Sequence, residues 1–148
     1  MFYGQFAYAI DEKGRLSVPA KFRDALLSHD TAMLLLTAHP AGCIVAYPSK
    51  EWQARQERIE AAGEEVQDMG ANFKRMYYAF ATDCPFDRLG RILVPQLLRN
   101  HAGIEKNVVI LGVNKKIEIW SEKAWADVAK KAAKEVEAQP NLASRFGL

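Results

Sequence analysis

Hydrophobic and polar residues alternate in several short stretches of the chain, a pattern typical of half-buried β-strands. In Arg15–Val18, Leu16 and Val18 fall on one face, and Arg15 and Ser17 fall on the other. Turn-forming residues separate these stretches from one another. The predicted strands are Gln5–Ile10, Arg15–Val18, Met33–Thr37, Cys43–Tyr47, Met76–Asp83, Arg91–Val94, Asn107–Gly112 and Lys116–Trp120.

Helix-start signals follow several of these strands. Pro19 and Pro95 stand where helices can begin, because proline suits the first turn of a helix. Ser49 and Ser121 are residues that commonly cap a helix N-terminus. Gly63 and Gly70 are expected to interrupt or end helical segments. The predicted helices are Ala20–Leu27, a helix after Ser49 that runs to about Ala62, a short segment after Pro95 and Glu122–Ala138, followed by a tail over Asn141–Leu148.

Two short polar segments predict tight turns. Residues 11–14 read Asp-Glu-Lys-Gly, in which the aspartate can accept turn amides and the glycine can take a positive φ. Residues 87–90 begin with Asp and end with Gly in the same way. Each turn predicts a hairpin between the strand before it and the strand after it. The element order of each half is then ββαββα, and the fold class is α+β.

The turn and the strand after it belong to a repeated phrase. Residues 11–23 and 87–99 are identical at six of 13 positions with an offset of 76, whereas about one identity is expected by chance. Such a duplication predicts a structure with pseudo-two-fold symmetry. The identical pairs are Asp11/Asp87, Gly14/Gly90, Arg15/Arg91, Val18/Val94, Pro19/Pro95 and Arg23/Arg99.

A second echo follows at an offset of 73, where Tyr47 and Trp52 match Trp120 and Trp125. The first copy therefore has three extra residues, which we place in the loop 38–42. Halves of about 50 residues are too small to be stable alone, so both are expected to share one core. The predicted divisions are 1–54 for the first half, 55–76 for a helical linker, 77–130 for the second half and 131–148 for the end of the last helix and the tail.

Length and composition limit the classes of protein that fit. The chain has 148 residues, of which 49% are hydrophobic, so a single domain with a substantial core is expected. Apolar runs never reach the 18 residues of a membrane-spanning helix, and residues 1–20 do not resemble a signal peptide. Cys43 and Cys84 lack a Cys-x-x-Cys partner, which favours a reduced, cytoplasmic protein.

Positive charge is concentrated in the repeated phrases, although the net charge is only +2. The segments 13–23 and 88–100 contain basic residues and no acidic ones, and such local patches set the field that a phosphate backbone meets. The basic residues of these segments are Lys13, Arg15, Lys21, Arg23, Arg88, Arg91 and Arg99.

This arrangement predicts DNA binding by basic β-hairpins. A two-stranded ribbon fits the DNA major groove, where arginine can bind guanine through two hydrogen bonds. Asp11 and Asp87 are expected to accept turn amides and to brace Arg15 and Arg91, four residues further on. The alternative is that each Asp–Arg pair only closes a turn. Two copies with basic residues at the same place favour the DNA hypothesis.

Other chemistry has little support in the sequence. Nucleophile motifs, phosphate-binding glycine loops and metal-ligand spacings are lacking, so we predict neither an enzyme nor a cofactor, metal or small-molecule ligand. Asp83 and Asp87 could form a carboxylate pair. However, Asp87 already has a turn role, and Asp83 corresponds to Ala7 in the first copy.

Taken together, the motifs resemble those of the MraZ family, bacterial transcriptional regulators with a double SpoVT–AbrB domain. The resemblance covers about residues 1–130. The segments that carry it are Met1–Gly4, Asp11–Pro19, Tyr47–Trp52, Cys84–Arg91, Leu98–Gly103 and Ile119–Trp125.

The resemblance implies a cytoplasmic, nucleoid-associated regulator. Members of the family bind tandem DNA repeats upstream of the division and cell-wall gene cluster that their own gene heads, usually repress it, and form ring-shaped homo-oligomers. DNA-contacting positions carry over onto Lys13, Arg15, Arg88 and Arg91, with Lys21, Arg23 and Arg99 as flanking positive charges. Asp11, Gly14, Asp87 and Gly90 match the turn positions. Lys13 corresponds to Leu89, which predicts that the two hairpins are unequal.

A protein-interaction module is the second hypothesis. Folds similar to AbrB also serve as antitoxins, in which a DNA-binding half carries a toxin-binding tail. Here the segment 140–148 is short and only moderately apolar, which disfavours a dedicated toxin-binding tail.

Overall fold

The computed structural model describes residues 1–28, 32–62 and 68–148. Within these ranges, the α+β order predicted for each half is confirmed, with one further helix between the halves and a short one at the end. The elements are β1 (Phe2–Ala9), β2 (Arg15–Ser17), α1 (Ala20–Leu27), β3 (Met33–His39), β4 (Cys43–Tyr47), α2 (Ser49–Ala62), α3 (Asp68–Ala79), β5 (Thr82–Pro85), β6 (Arg91–Leu93), α4 (Gln96–His101), β7 (Asn107–Asn114), β8 (Lys116–Ser121), α5 (Glu122–Glu137) and α6 (Leu142–Arg145).

Six of the strands form one antiparallel sheet in the order β1-β7-β8-β4-β3-β5. The other two, β2 and β6, form a separate sheet with each other. We call this two-stranded sheet, made of Arg15–Ser17 and Arg91–Leu93, the ribbon. Each of its strands comes from a different copy of the repeated phrase.

The hairpins predicted at the turns 11–14 and 87–90 are therefore wrong, whereas β3 with β4 and β7 with β8 do form hairpins. β1 pairs along its whole length with β7, and β5 pairs with β3, so the first strand of each half joins the sheet beside a strand of the other half. The strands that follow the two turns, β2 and β6, pair with each other. Two backbone hydrogen bonds add to this pairing between the copies. The amide of Val18 donates to the carbonyl of Gly90 over 3.1 Å, and the amide of Val94 donates to the carbonyl of Gly14 over 2.8 Å.

The pairing follows a pseudo-two-fold axis. In the ribbon, Leu16 lies opposite Ile92, its own counterpart in the repeat. In the sheet, Val45 of β4 lies opposite Glu118 of β8, again its counterpart at the offset of 73. A residue can pair with its own equivalent only at the axis, so the axis passes through both pairs.

The register also locates the three extra residues of the first copy. Tyr47 pairs with Leu35, and its counterpart Trp120 pairs with Val109, so Leu35 and Val109 are equivalent at an offset of 74. Two extra residues consequently lie between Arg23 and Leu35, and one lies between Leu35 and Tyr47. The prediction that all three belong to the loop 38–42 is wrong, because most of the difference precedes β3.

The two faces of the six-stranded sheet carry separate clusters of buried side chains. One face packs against the ribbon, α1 and α4 through residues such as Leu16, Phe22 and Leu98. The other face packs against α2, α3 and α5 through aromatic residues such as Trp52 and Trp120. Because side chains alternate between the two faces of each strand, the sheet contributes residues to two cores. The ribbon covers the first of them.

The first half of the predicted strand Met76–Asp83 is helix. Helix α3 runs to Ala79, and only Thr82–Pro85 is strand. Phe73 stacks on Tyr77 and Tyr77 stacks on Trp52, with ring centroids 5.5 and 5.2 Å apart. The spacing of four between Phe73 and Tyr77 is helical, and this aromatic contact across elements outweighs the local strand propensity.

Smaller differences concern the helix ends. Gly70 lies inside α3 instead of ending a helix, and Gly63 lies outside the described residues. Ser49 is the first residue of α2 rather than its cap, whereas Ser121 caps α5 as predicted by accepting the amide of Ala124 over 3.1 Å. None of the helices in the described ranges combines the length and the apolar character needed to cross a membrane.

The exchange of strands predicts that neither half folds as an isolated monomer. Residues 1–79 lack the β7 partner of β1, and residues 80–148 lack the β3 partner of β5. We expect each fragment alone to show no cooperative thermal transition as a monomer by circular dichroism. An equimolar mixture should recover the native spectrum and melt like the intact chain. A monomeric fragment with a cooperative transition would contradict the interlocked architecture.

Candidate nucleic-acid interface

The first repeated turn is held by one carboxylate. The Oδ1 atom of Asp11 accepts the backbone amides of Lys13 at 3.0 Å and of Arg15 at 2.8 Å. Its Oδ2 atom accepts the Nε–H of Arg15 at 2.5 Å. The amide of Gly14 closes the turn on the carbonyl of Asp11, and Gly14 has a φ of +85° that favours glycine. Backbone and guanidinium are thus fixed by a single side chain.

The second turn repeats this geometry. Oδ1 of Asp87 accepts the amides of Leu89 and Arg91, both at 2.9 Å, and Oδ2 accepts Nε–H of Arg91 at 2.7 Å. Gly90 again closes the turn, with a φ of +73°. The bracing roles predicted for the two aspartates and the two glycines agree with these contacts.

Both carboxylates are stabilised in their charged form. The backbone amide of Arg15 is the main cause that lowers the pKa of Asp11, with the Arg15 guanidinium adding to it, and Arg91 does the same for the pKa of Asp87. The side chains of these ion pairs are about one-third exposed, so each pair adds little to stability. Their effect is orientation, since Nε faces the aspartate and leaves the terminal nitrogens of the guanidinium available.

The ribbon brings the two motifs onto one surface. Leu16 and Ile92 point into the core, while Arg15 pairs with Leu93 and Ser17 pairs with Arg91 on the opposite, outward face. Arg15 and Arg91 are therefore diagonal neighbours, a relation that places Cα atoms about 7–8 Å apart. The sequence predicted two separate hairpin tips, whereas the structure forms one composite surface with an arginine from each copy.

Arg23 and Arg99, predicted as flanking positive charges, pack against the turns. Arg99 donates from Nε to the carbonyl of Val94 over 3.1 Å, and its guanidinium lies where a Cβ on Gly14 would meet it at 3.0 Å. Arg23 lies in the same way against Gly90. Both side chains are half-buried. Each arginine packs against the turn of the other half, and long-range packing of this kind has no local sequence signal.

The remaining predicted positions, Lys13, Lys21 and Arg88, are all exposed. Lys13 and Arg88 are exposed at the tips of the two turns. Lys21 is exposed on α1, where its Nζ lies 3.4 Å from the centroid of the Tyr3 ring. Sequence reasoning missed Leu93, which shares the outward face with both arginines. The alternation along Arg91–Leu93 could have placed it there.

The family is now decided by comparison with known proteins. The family model described as "MraZ protein, putative antitoxin-like" matches residues 1–72 and 77–145. The chain belongs to the MraZ family. This confirms the resemblance in the motifs, and the match extends past residue 130, where the motif resemblance ended.

Similar MraZ proteins cover most of the chain. Identity is 42% over 125 residues with the transcriptional regulator MraZ of Limosilactobacillus reuteri (strain DSM 20016), or 84% of each chain. It is 41% over 146 residues with that of Thermomicrobium roseum, which is 99% of this chain and 97% of the relative. The protein of the same name from Thiobacillus denitrificans is 36% identical over the full length of both chains.

The glycine of the first turn provides a test of the turn geometry. Alanine at Gly14 must adopt a positive φ, which costs about 1–3 kcal/mol, and its Cβ would lie 2.9 Å from the carbonyl oxygen of Val94. Gly42 also has a positive φ, but a Cβ there would meet nothing within 4 Å. We expect Gly14→Ala to lower the free energy of unfolding in urea more than the matched control Gly42→Ala. Equal losses would contradict close packing at the turn.

Proposed function

We propose that this chain is a sequence-specific DNA-binding transcriptional regulator that inserts the ribbon into the major groove. The observation that supports this most strongly is the side-by-side placement of Arg15 and Arg91 on the outward face of the ribbon. Relatives of high similarity carry the name transcriptional regulator. The regulated promoter is proposed to be that of its own gene and the division and cell-wall cluster that follows, with repression as the usual outcome.

The dimensions of the ribbon suit this target. Its strands lie about 4.8 Å apart, and the major groove is about 12 Å wide, so a two-stranded ribbon enters with its outward side chains facing base edges. Arg15 and Arg91 can then bind guanine O6 and N7, while Lys13 and Arg88 at the turn tips reach phosphates. Asp11 and Asp87 direct their oxygens to their own turns, which limits their repulsion of DNA.

Affinity is proposed to come from several chains acting together. One ribbon has a small footprint, so a homo-oligomeric ring that engages tandem repeats would gain affinity through effective concentration. A DNA-binding regulator of this kind is proposed to act in the cytoplasm, in association with the nucleoid.

A toxin-binding role is the second candidate, because the family description includes the term antitoxin-like. Phe146 and Leu148 are exposed after the short helix α6 and are the residues in this part of the chain that could contact a partner protein. DNA binding remains the function that the geometry supports better, because the arginines of both copies share one face of the ribbon.

Arginine removal tests the role of the ribbon. Arg15→Ala and Arg91→Ala should each weaken binding of the promoter fragment by about 5- to 150-fold in a gel-shift titration, since a bidentate arginine–guanine pair contributes about 1–3 kcal/mol. Binding of the wild-type protein should also weaken steeply with added salt if phosphates contribute.

Arg75→Ala is the matched control for these variants. Arg75 is exposed on α3, on the face of the sheet that lies away from the ribbon, and donates to Asn72 over 2.8 Å. Its removal takes away the same charge and should leave the affinity unchanged. An unchanged affinity in both ribbon variants, with native circular dichroism, would reject the ribbon as the DNA-binding element.

Solution mass tests the multivalent mechanism. Sedimentation should detect one large discrete oligomer, and DNA with two or more tandem repeats should bind it much more tightly than DNA with a single repeat. A monomer that binds single and tandem repeats with the same affinity per site would contradict the proposal.

A further inference from the structure

The two copies of the repeat differ in one consistent respect on their exposed surface. At the offset of 76, Leu89, Leu93 and Leu97 replace Lys13, Ser17 and Lys21. These leucines are 70, 58 and 54% exposed. The buried residues beside them keep their apolar character, as in Leu16 and Ile92. The difference is thus confined to positions that face outward.

Leu93 lies at the centre of the proposed DNA-binding surface. It is directly opposite Arg15 in the ribbon and two residues from Arg91 on its own strand, so all three side chains share the outward face. Leu89 is at the tip of the adjoining turn, next to Arg88, and Leu97 is in the first turns of α4. An apolar side chain is therefore surrounded by arginines.

The major groove offers one apolar group of matching size, which is the C5 methyl group of thymine. We propose that Leu93, with Leu89 at the rim, packs on thymine methyl groups, so that the second copy recognises a thymine-containing half-site. The first copy presents the hydroxyl of Ser17 and the ammonium of Lys13 at the equivalent places, and recognises a half-site through polar contacts. The inference rests on the proposed DNA binding and specifies what each half recognises.

Charge favours DNA over a second protein chain as the occupant of this surface. Covering Leu93 with another copy would also remove Arg15 and Arg91 from water, and burial of such charges without partners is costly. In the groove, the same arginines meet guanine acceptors and phosphates while the leucine meets a methyl group. One surface then satisfies both kinds of side chain.

Deoxyuridine provides the probe, because it differs from thymidine only by this methyl group. A duplex is first selected from a random library with the full-length protein and then synthesised with thymine or with uracil throughout. We expect the wild-type protein to bind the uracil duplex about fourfold more weakly for each methyl group contacted, the effect of one buried carbon. Leu93→Ser, which installs the residue of the first copy, should reduce the ratio between the two affinities, and Leu89 accounts for the preference that is left.

Two further variants make the result specific. Ser17→Leu should increase the preference for thymine, since it places a leucine at the equivalent position of the first copy. Arg75→Ala should retain the wild-type ratio between the duplexes. Because Leu93 is exposed, its replacement should leave the circular dichroism spectrum and the melting temperature unchanged.

The outcomes separate the inference from the function on which it rests. Equal binding of the two duplexes by the wild-type protein overturns the thymine contact while DNA binding stands. A Leu93→Ser variant that loses oligomer mass and weakens equally on both duplexes also overturns it, and assigns the leucine to an interface between chains. Failure to select any duplex overturns the inference together with the proposed function.

Discussion

The rest of the structure depends on the pairing of β2 with β6. These strands come from the two copies of the repeated phrase, and their amides at Val18 and Val94 reach the turns of the opposite copy. Once β2 pairs with β6, the preceding strands must leave their own halves, and each finds its place at an edge of the sheet. One short ribbon therefore fixes the exchange of strands, the shared core and the outward surface together.

The surface is ordered by contacts beneath and beside it rather than by strong attractions. Asp11 and Asp87 hold the turn amides and Nε of the arginines, while Arg23 and Arg99 fill the space under the turns. Such exposed ion pairs add little to stability, but they reduce the rotamer freedom that an arginine would lose on binding. A binding surface arranged in advance gains affinity from this reduction.

Local chemistry was the part of the fold that the sequence could predict. The turns at Asp11–Gly14 and Asp87–Gly90, the helix after Pro19 and the cap at Ser121 all depend on neighbouring residues. The pairing partner of each strand does not depend on neighbouring residues. The same turn sequence can join two strands that pair with each other or two strands that pair with the other copy. The contacts of Arg23 and Arg99 could not be predicted for the same reason, since each packs against a turn of the other copy. The sequence could predict the basic residues at the turn tips and on the ribbon as a group. It could not predict that the ribbon places arginines of both copies on one outward face.

The exchange of strands also has a consequence for how the protein is made. During synthesis, β1 leaves the ribosome about 100 residues before its partner β7, which ends at Asn114. The first half therefore waits with an unpaired edge strand until most of the second half has been translated. Long-range pairing of this kind slows folding and exposes edges to aggregation. Between translation of Phe2 and translation of Asn114, the nascent chain therefore depends on its surroundings to protect the unpaired edge from aggregation.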